Sequence, residues 1–141
     1  AFYALSNLLR NHIEAGKQFQ ALGGLDVFPV ALNDPNATPK LKMRAISALS
    51  AFLSSSKIDE QLLDTLRKDG VLVSVIENLG TDNVNVIDRV LSVLSHLISS
   101  GIKFNDSELE MLQKEFEKID SLKDRLNEDD YLTVKYVFSK K

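Results

Sequence analysis

The sequence predicts an all-α fold of stacked amphipathic helices, and three observations carry that prediction. Apolar residues recur at helical spacing, the pattern repeats along the chain, and glycine stops punctuate it at matching places. From Thr38 onward, Leu41, Ala45, Ala48, Leu49 and Phe52 stand at i, i+4, i+7, i+8 and i+11, the spacing of one buried helix face. Moving 45 residues on gives Val86, Val90, Val93, Leu94 and Leu97, and moving 44 back gives Ala1, Ala4, Leu5 and Leu8. Each copy carries a serine at one register: Ser6, Ser50 and Ser95.

The stretches between these long helices repeat as well. Phe19-x-x-Leu22-Gly23-Gly24-Leu25 has its counterpart in Leu66-Arg67-Lys68-Asp69-Gly70-Val71, each read as a short helix ended by glycine in the left-handed conformation. A new apolar segment follows at once, Leu25, Phe28 and Leu32 in one copy and Leu72, Val75, Ile76 and Leu79 in the other. Taken alone, Val71 to Ile76 is β-branched enough to pass for a strand; its register with Leu25 to Leu32 assigns it to a helix. The unit is therefore helix, turn, helix, loop, long helix.

Local chemistry supports the boundaries. Thr38 supplies an N-cap oxygen and Pro39 the first helical residue, so a helix is expected from Lys40 to about Leu53. A helix beginning near Asp26 puts Pro29 in the first turn, where its missing amide costs nothing. After Gly101 the repeat stops. Asn105-Asp106-Ser107, with Glu110 three residues beyond the serine, reads as a capping box opening a helix whose buried stripe is Leu109, Leu112, Phe116 and Ile119. A last helix is expected from about Glu128, with Leu132 and Tyr136 on its packed face and Glu128, Asp129 and Asp130 at its positive end.

A period near 45 with three helices per unit lies in the armadillo and HEAT range. The expected architecture is an armadillo-like right-handed helical solenoid, about two and a half repeats over residues 1–101 and capping helices over 102–141. The chain opens directly into the repeat without an initiator methionine, so a fragment lacking upstream repeats is expected, with Ala1 to Leu8 a bare end less stable than in a longer chain.

Composition excludes several functions. The 141 residues suit one domain, and 44% hydrophobic with 26% charged residues is ordinary globular usage. Seventeen basic against twenty acidic residues give a net charge of −3, which offers no positive field for nucleic acid. With no cysteine there is no disulfide or thiolate chemistry, and no apolar run approaches the roughly 20 residues that cross a bilayer. Phosphate-binding glycine loops, a nucleophile elbow and a zinc-binding His-Glu-x-x-His are absent, so neither an enzyme nor a cofactor is expected. Gly23-Gly24 is read as a helix stop. His12 and His96 stand too far apart for a metal site, and Asp120, Asp124, Glu128, Asp129 and Asp130 lack the loop spacing of a calcium site.

What remains is the concave surface such solenoids form from the third helix of each unit, opposite its buried stripe. It would hold Tyr3, Asn7 and Arg10, then Lys40, Arg44, Ser47 and Ala51, then Asn85, Arg89 and His96. Arg44 and Arg89 share a register and offer planar donor forks to acidic groups. Lys40, Lys42 and Arg44 form a basic edge on an acidic chain, which points to a negatively charged patch on a partner.

At these residues the chain resembles a known family. Ala4-Leu5-Ser6-Asn7 is similar to the armadillo third-helix signature. Lys40 to Ala45, Asp88 to Ser92, Leu97 to Asn105 and Leu122 to Tyr131 together resemble the fungal cytosolic Fes-type nucleotide exchange factors, the counterparts of the animal heat-shock-protein-binding proteins. The resemblance implies a co-chaperone that embraces lobe II of the nucleotide-binding domain of the cytosolic seventy-kilodalton heat-shock chaperone and loosens ADP. It implies partner contacts at Arg44 first, then Lys40, Asn7, Asn85 and Arg89, with no nucleic acid, no membrane and a cytoplasmic location. The family has further armadillo-like units before the position matching Ala1, so about half of the clamp would be missing. Asn36-Ala37-Thr38 and Asn105-Asp106-Ser107 would be sequons in a secretory compartment, but both fit helix caps better. The alternative is an armadillo-type peptide-binding or scaffold module without exchange activity. Peptide binders of the importin or catenin kind need an asparagine and tryptophan ladder, whereas the ladder positions here read Asn7, Ala51 and His96 and tryptophan is absent.

Overall fold

A computed structural model describes residues 2–11 and 13–139, so Ala1 and His12 lie outside the described residues. No strand occurs among the described residues; the chain is all α. It runs α1 (Phe2–Asn11), α2 (Ile13–Ala21), a 3₁₀ turn (Gly24–Asp26), α3 (Val27–Asn33), α4 (Pro39–Ser54), α5 (Glu60–Lys68), α6 (Val71–Glu77), a second 3₁₀ turn (Asn78–Gly80), α7 (Val84–Ser99), α8 (Asp106–Ile119), a third 3₁₀ stretch (Asp120–Arg125) and α9 (Glu128–Ser139). In chain order two short helices and a long one follow each other twice, as α2–α3–α4 and as α5–α6–α7, with a 3₁₀ turn before α3 and another after α6. Contacts cluster in two compact units, Ala1–Ser74 and Val75–Lys141. No described helix is long and apolar enough to cross a membrane.

In the first unit α4 is the spine, packed by α1 and α3. It starts where Thr38 Oγ1 accepts the Leu41 amide at 3.1 Å and Pro39 takes the first helical position. Ala45, Ala48, Leu49 and Phe52 are buried as expected, as are Leu25, Phe28 and Leu32 on the preceding segment. Phe19 leans edge-on to Phe28 at 5.9 Å between ring centres and lies 6.0 Å from Phe52, an aromatic cluster binding α2, α3 and α4. Gly23 and Gly70 end their helices at φ 75° and 77° as the sequence requires. Asn33 Nδ2 donates to the buried Ser74 hydroxyl at 3.0 Å, tying α3 to α6.

The expected stripe on α1 is displaced. Ser6 and Leu9 are buried, whereas Ala4 is exposed, Leu5 is half-buried and Leu8 is 52% exposed. The packed face lies one residue on, a rotation of about 100°. A register transferred from α4 assumes equal neighbours, but α4 is flanked by α1 and α3 while α1 packs on α4 and α2.

In the second unit Val86, Val90, Val93, Leu94 and Leu97 of α7 are all buried, and α9 packs along α7 and α8. Asp88 Oδ1 accepts the Asn127 amide at 2.8 Å, so a side chain of α7 fixes the chain just before α9 begins. The capping box of α8 is two residues earlier than expected. Asn105, not Ser107, is the cap: its Oδ1 accepts the Glu108 amide at 2.8 Å while Glu108 Oε1 accepts the Asn105 amide at 2.9 Å. Leu112, Phe116 and Ile119 are buried, and Leu109 is half-buried.

On α9 the expected face is again one residue off. Leu132 and Tyr136 are 51% and 60% exposed, and Tyr131 and Val134 fill the core instead. Tyr131 stacks at 5.2 Å from Phe116 and donates its hydroxyl to Asp120 Oδ1 at 2.8 Å, so one side chain satisfies both an apolar contact and a polar one. Burial first, then the bond to Asp120 and the charge of that carboxylate, push the phenol from 10.0 up to about 12. A folded pKa raised in this way means the contribution is fully present below pH 10 and is lost as pH rises towards 12. Tyr131→Phe is therefore expected to be less stable at neutral pH and to lose less stability on going to pH 11 than the parent, as read from urea midpoints at the two pH values.

Candidate functional site

The outward faces of the long helices form the candidate site. On α7, Asn85, Arg89, Ser92, His96 and Ser99 are exposed, at i, i+4, i+7, i+11 and i+14, directly opposite the buried valine and leucine stripe. The helix is held on both sides of this face. Asn83 Oδ1 accepts the Asn85 and Val86 amides at 3.0 and 3.2 Å, and Asp88, the neighbour of Arg89, is fixed by Asn127. Arg89 thus projects from a stretch of α7 that these bonds anchor at its start and beside it.

On α4 the same stations are Lys40, Arg44, Ser47, Ala51 and Ser54. Lys40, Arg44 and Ser54 are exposed, and Ser47 is half-buried. Ala51 departs from expectation: it is only 3% exposed and belongs to the core, because α4 buries seven residues against neighbours on two sides. On α1, Asn7 and Arg10 are exposed, and the side chain of Tyr3 lies outside the described residues. The ladder positions Asn7, Ala51 and His96 therefore include one that no bound peptide could touch.

The first turn of α4 is electrostatically unusual. It carries Lys40 and Lys42 and no acidic residue, at the helix end whose free amides are already positive. Cations there oppose the helix dipole at about 0.3–1 kcal/mol each. Among the described residues neither Lys40 nor Arg44 enters an ion pair that would offset this. Helix stability does not call for such a placement, whereas an anionic surface brought against the helix would.

One feature lay beyond sequence reasoning. At the far ends of α1 and α4 the fold of the first unit opens a groove of about 860 Å³ lined by Arg10, Lys17 and Lys57 among others. Its residues come from four separate segments, and helical periodicity speaks only about one helix at a time. Exposed, polar residues next to serine-rich loops were the single hint that could have found it.

No family model matches the chain, and no solved structure matches it. Several fungal proteins do. The Hsp70 nucleotide exchange factor FES1 of Candida glabrata is 98% identical over 141 residues, which are 100% of this chain and 48% of that protein. FES1 of Saccharomyces cerevisiae is 62% identical over 138 residues, 97% of this chain and 48% of that protein, and FES1 of Kluyveromyces lactis is 40% identical over 138 residues with the same shares. The chain spans about half the length of these curated relatives. Helices, caps and exposed arginines thus stand in a chain that is homologous along its whole length to the fungal Hsp70 nucleotide exchange factor FES1 proteins.

Proposed function

We propose that this chain forms part of a nucleotide exchange factor for the seventy-kilodalton heat-shock chaperone, and that it acts in the cytoplasm as a binding protein, not an enzyme. The observation that carries this reading is the 62% identity over 138 residues to a protein named for that activity. In this reading residues 1–101 and 102–141 are armadillo-like units and a cap, and the exposed stations Asn7, Lys40, Arg44, Asn85 and Arg89 meet the chaperone's nucleotide-binding domain. The mechanism is linkage. A partner that binds the open, nucleotide-free form better than the ADP form weakens ADP binding by that same coupling free energy. No bond is made or broken by the factor.

The basic first turn of α4 supports the choice of Arg44 as the leading contact, since Lys40 and Arg44 share one exposed face and would be relieved by acidic groups on the partner. Arg44→Ala is expected to slow the chaperone's release of a fluorescent ADP analogue by several-fold, in this chain and at the matching position of a full-length relative, with circular dichroism unchanged. Release unaltered by the substitution in both proteins would leave a scaffold without exchange activity as the better description.

A further inference from the structure

The groove at the ends of α1 and α4 is a second cationic surface, separate from the basic turn at the start of α4. Arg10, Lys17 and Lys57 are all exposed around it, and none of them forms an ion pair among the described residues. The single acid on its wall, Asp59, is committed elsewhere: its Oδ1 accepts the Leu62 amide at 2.9 Å as the cap of α5. Some of the carbonyl oxygens that these helix ends present accept side-chain hydrogen bonds as well. Ser55 Oγ donates to the Leu9 carbonyl at 2.7 Å and to that of Arg10 at 3.4 Å, and Ser56 Oγ donates to the Phe52 carbonyl at 2.6 Å. Asp59 keeps its charge, so the lining sets three cations against one carboxylate, a positive local balance on a chain whose net charge is −3.

We propose that this groove binds a short acidic segment of a partner polypeptide. A volume of about 860 Å³ is far more than an inorganic anion needs and lies in the range of peptide and ligand clefts. Gln20 and Gln61 on its wall each carry an amide donor and an amide acceptor, the pair that an extended peptide backbone presents in turn. Carboxylates on alternate residues would reach Arg10, Lys17 and Lys57 at the rim. The proposal stands apart from nucleotide exchange, because peptide binding can be read with no chaperone present.

The test is fluorescence anisotropy of a labelled five-residue peptide of alternating aspartate, glutamate and leucine with the 141-residue chain. Binding is expected to weaken about tenfold in Lys17→Glu/Lys57→Glu, and to weaken when salt is raised from about 50 to about 300 mM. It should persist in Lys17→Arg/Lys57→Arg and in Lys114→Glu/Lys123→Glu, which makes the same change of net charge at exposed positions that do not line the groove. Circular dichroism confirms that each variant is folded; the arginine pair keeps the question answerable if the glutamate pair is not. Equal binding by the glutamate pair, equal binding of an asparagine and glutamine version of the peptide, or binding of sodium tripolyphosphate where the peptide fails would each overturn the proposal.

Discussion

Phe52→Ala is expected to lower the unfolding free energy by about 3–5 kcal/mol, enough to leave a chain of this size close to unfolding at physiological temperature. The ring is 0% exposed and sits where three elements of the first unit meet. Phe19 of α2 lies 6.0 Å away centre to centre, and a methyl group placed on Gly16 would meet the ring at ordinary contact distance, 3.7 Å, so α2 passes close beside it. Removing the ring deletes apolar burial and leaves a void that a helix backbone and a second ring cannot easily collapse into. Phe52→Leu keeps most of the volume and should cost less than about 1.5 kcal/mol. Urea titration read by circular dichroism checks both, with the midpoint moving and the slope preserved. A loss below about 1 kcal/mol for the alanine variant would mean that Phe52 is not the junction described here.

How far such a junction can be read from sequence depends on whether the deciding interactions are local. α4 and α7 were legible because Thr38-Pro39 is a cap in itself and because five apolar residues in register leave one choice of face. Val71 to Glu77 was recovered as a helix against its β-branched composition, because Leu72, Val75, Ile76 and Leu79 had to match Leu25 to Leu32. The errors share one form. On α1 and α9 the face was placed one residue wrong, since the period fixes which residues lie together but not which of two adjacent lines meets a neighbour. Tyr131 shows why: Phe116 and Asp120 on another element decide its burial, not the spacing within α9. The cap of α8 could have been found. Asn105 with Glu108 and Ser107 with Glu110 both satisfy the capping-box pattern, but only the first puts an apolar residue, the buried Phe104, just before the cap and Leu109 at the fourth helical position, as a hydrophobic staple requires. For the site, the stations of Lys40, Arg44, Asn85 and Arg89 were legible as the complement of a buried stripe. Ala51 was not, because its burial depends on how closely neighbours approach α4, and the groove was not, because four segments build it.

The two adjacent glycines give the other large effect, and they act for different reasons. Gly23 has φ 75° and nothing within 4 Å of the position a Cβ would take, so Gly23→Ala is strained by backbone conformation alone and should cost about 1 kcal/mol. Gly24 has no such backbone requirement. A Cβ there would stand 2.5 Å from two ring atoms of Phe19 and 2.7 Å from a third, far inside contact distance. The ring has no easy retreat, being held at 5.9 Å from Phe28 and 6.0 Å from Phe52, so the 3₁₀ turn or the α2–α3 packing must shift. Gly24→Ala is expected to destabilise by about 2–3 kcal/mol, the upper part of the range for overpacking. Combining it with Phe19→Leu tests the cause. If the clash is the reason, the narrower side chain should recover part of the loss, so that the double variant is less destabilised than the sum of the two single changes. Strict additivity in urea titrations would instead assign the effect to the turn itself, and the glycine pair would then be a stop signal and nothing more.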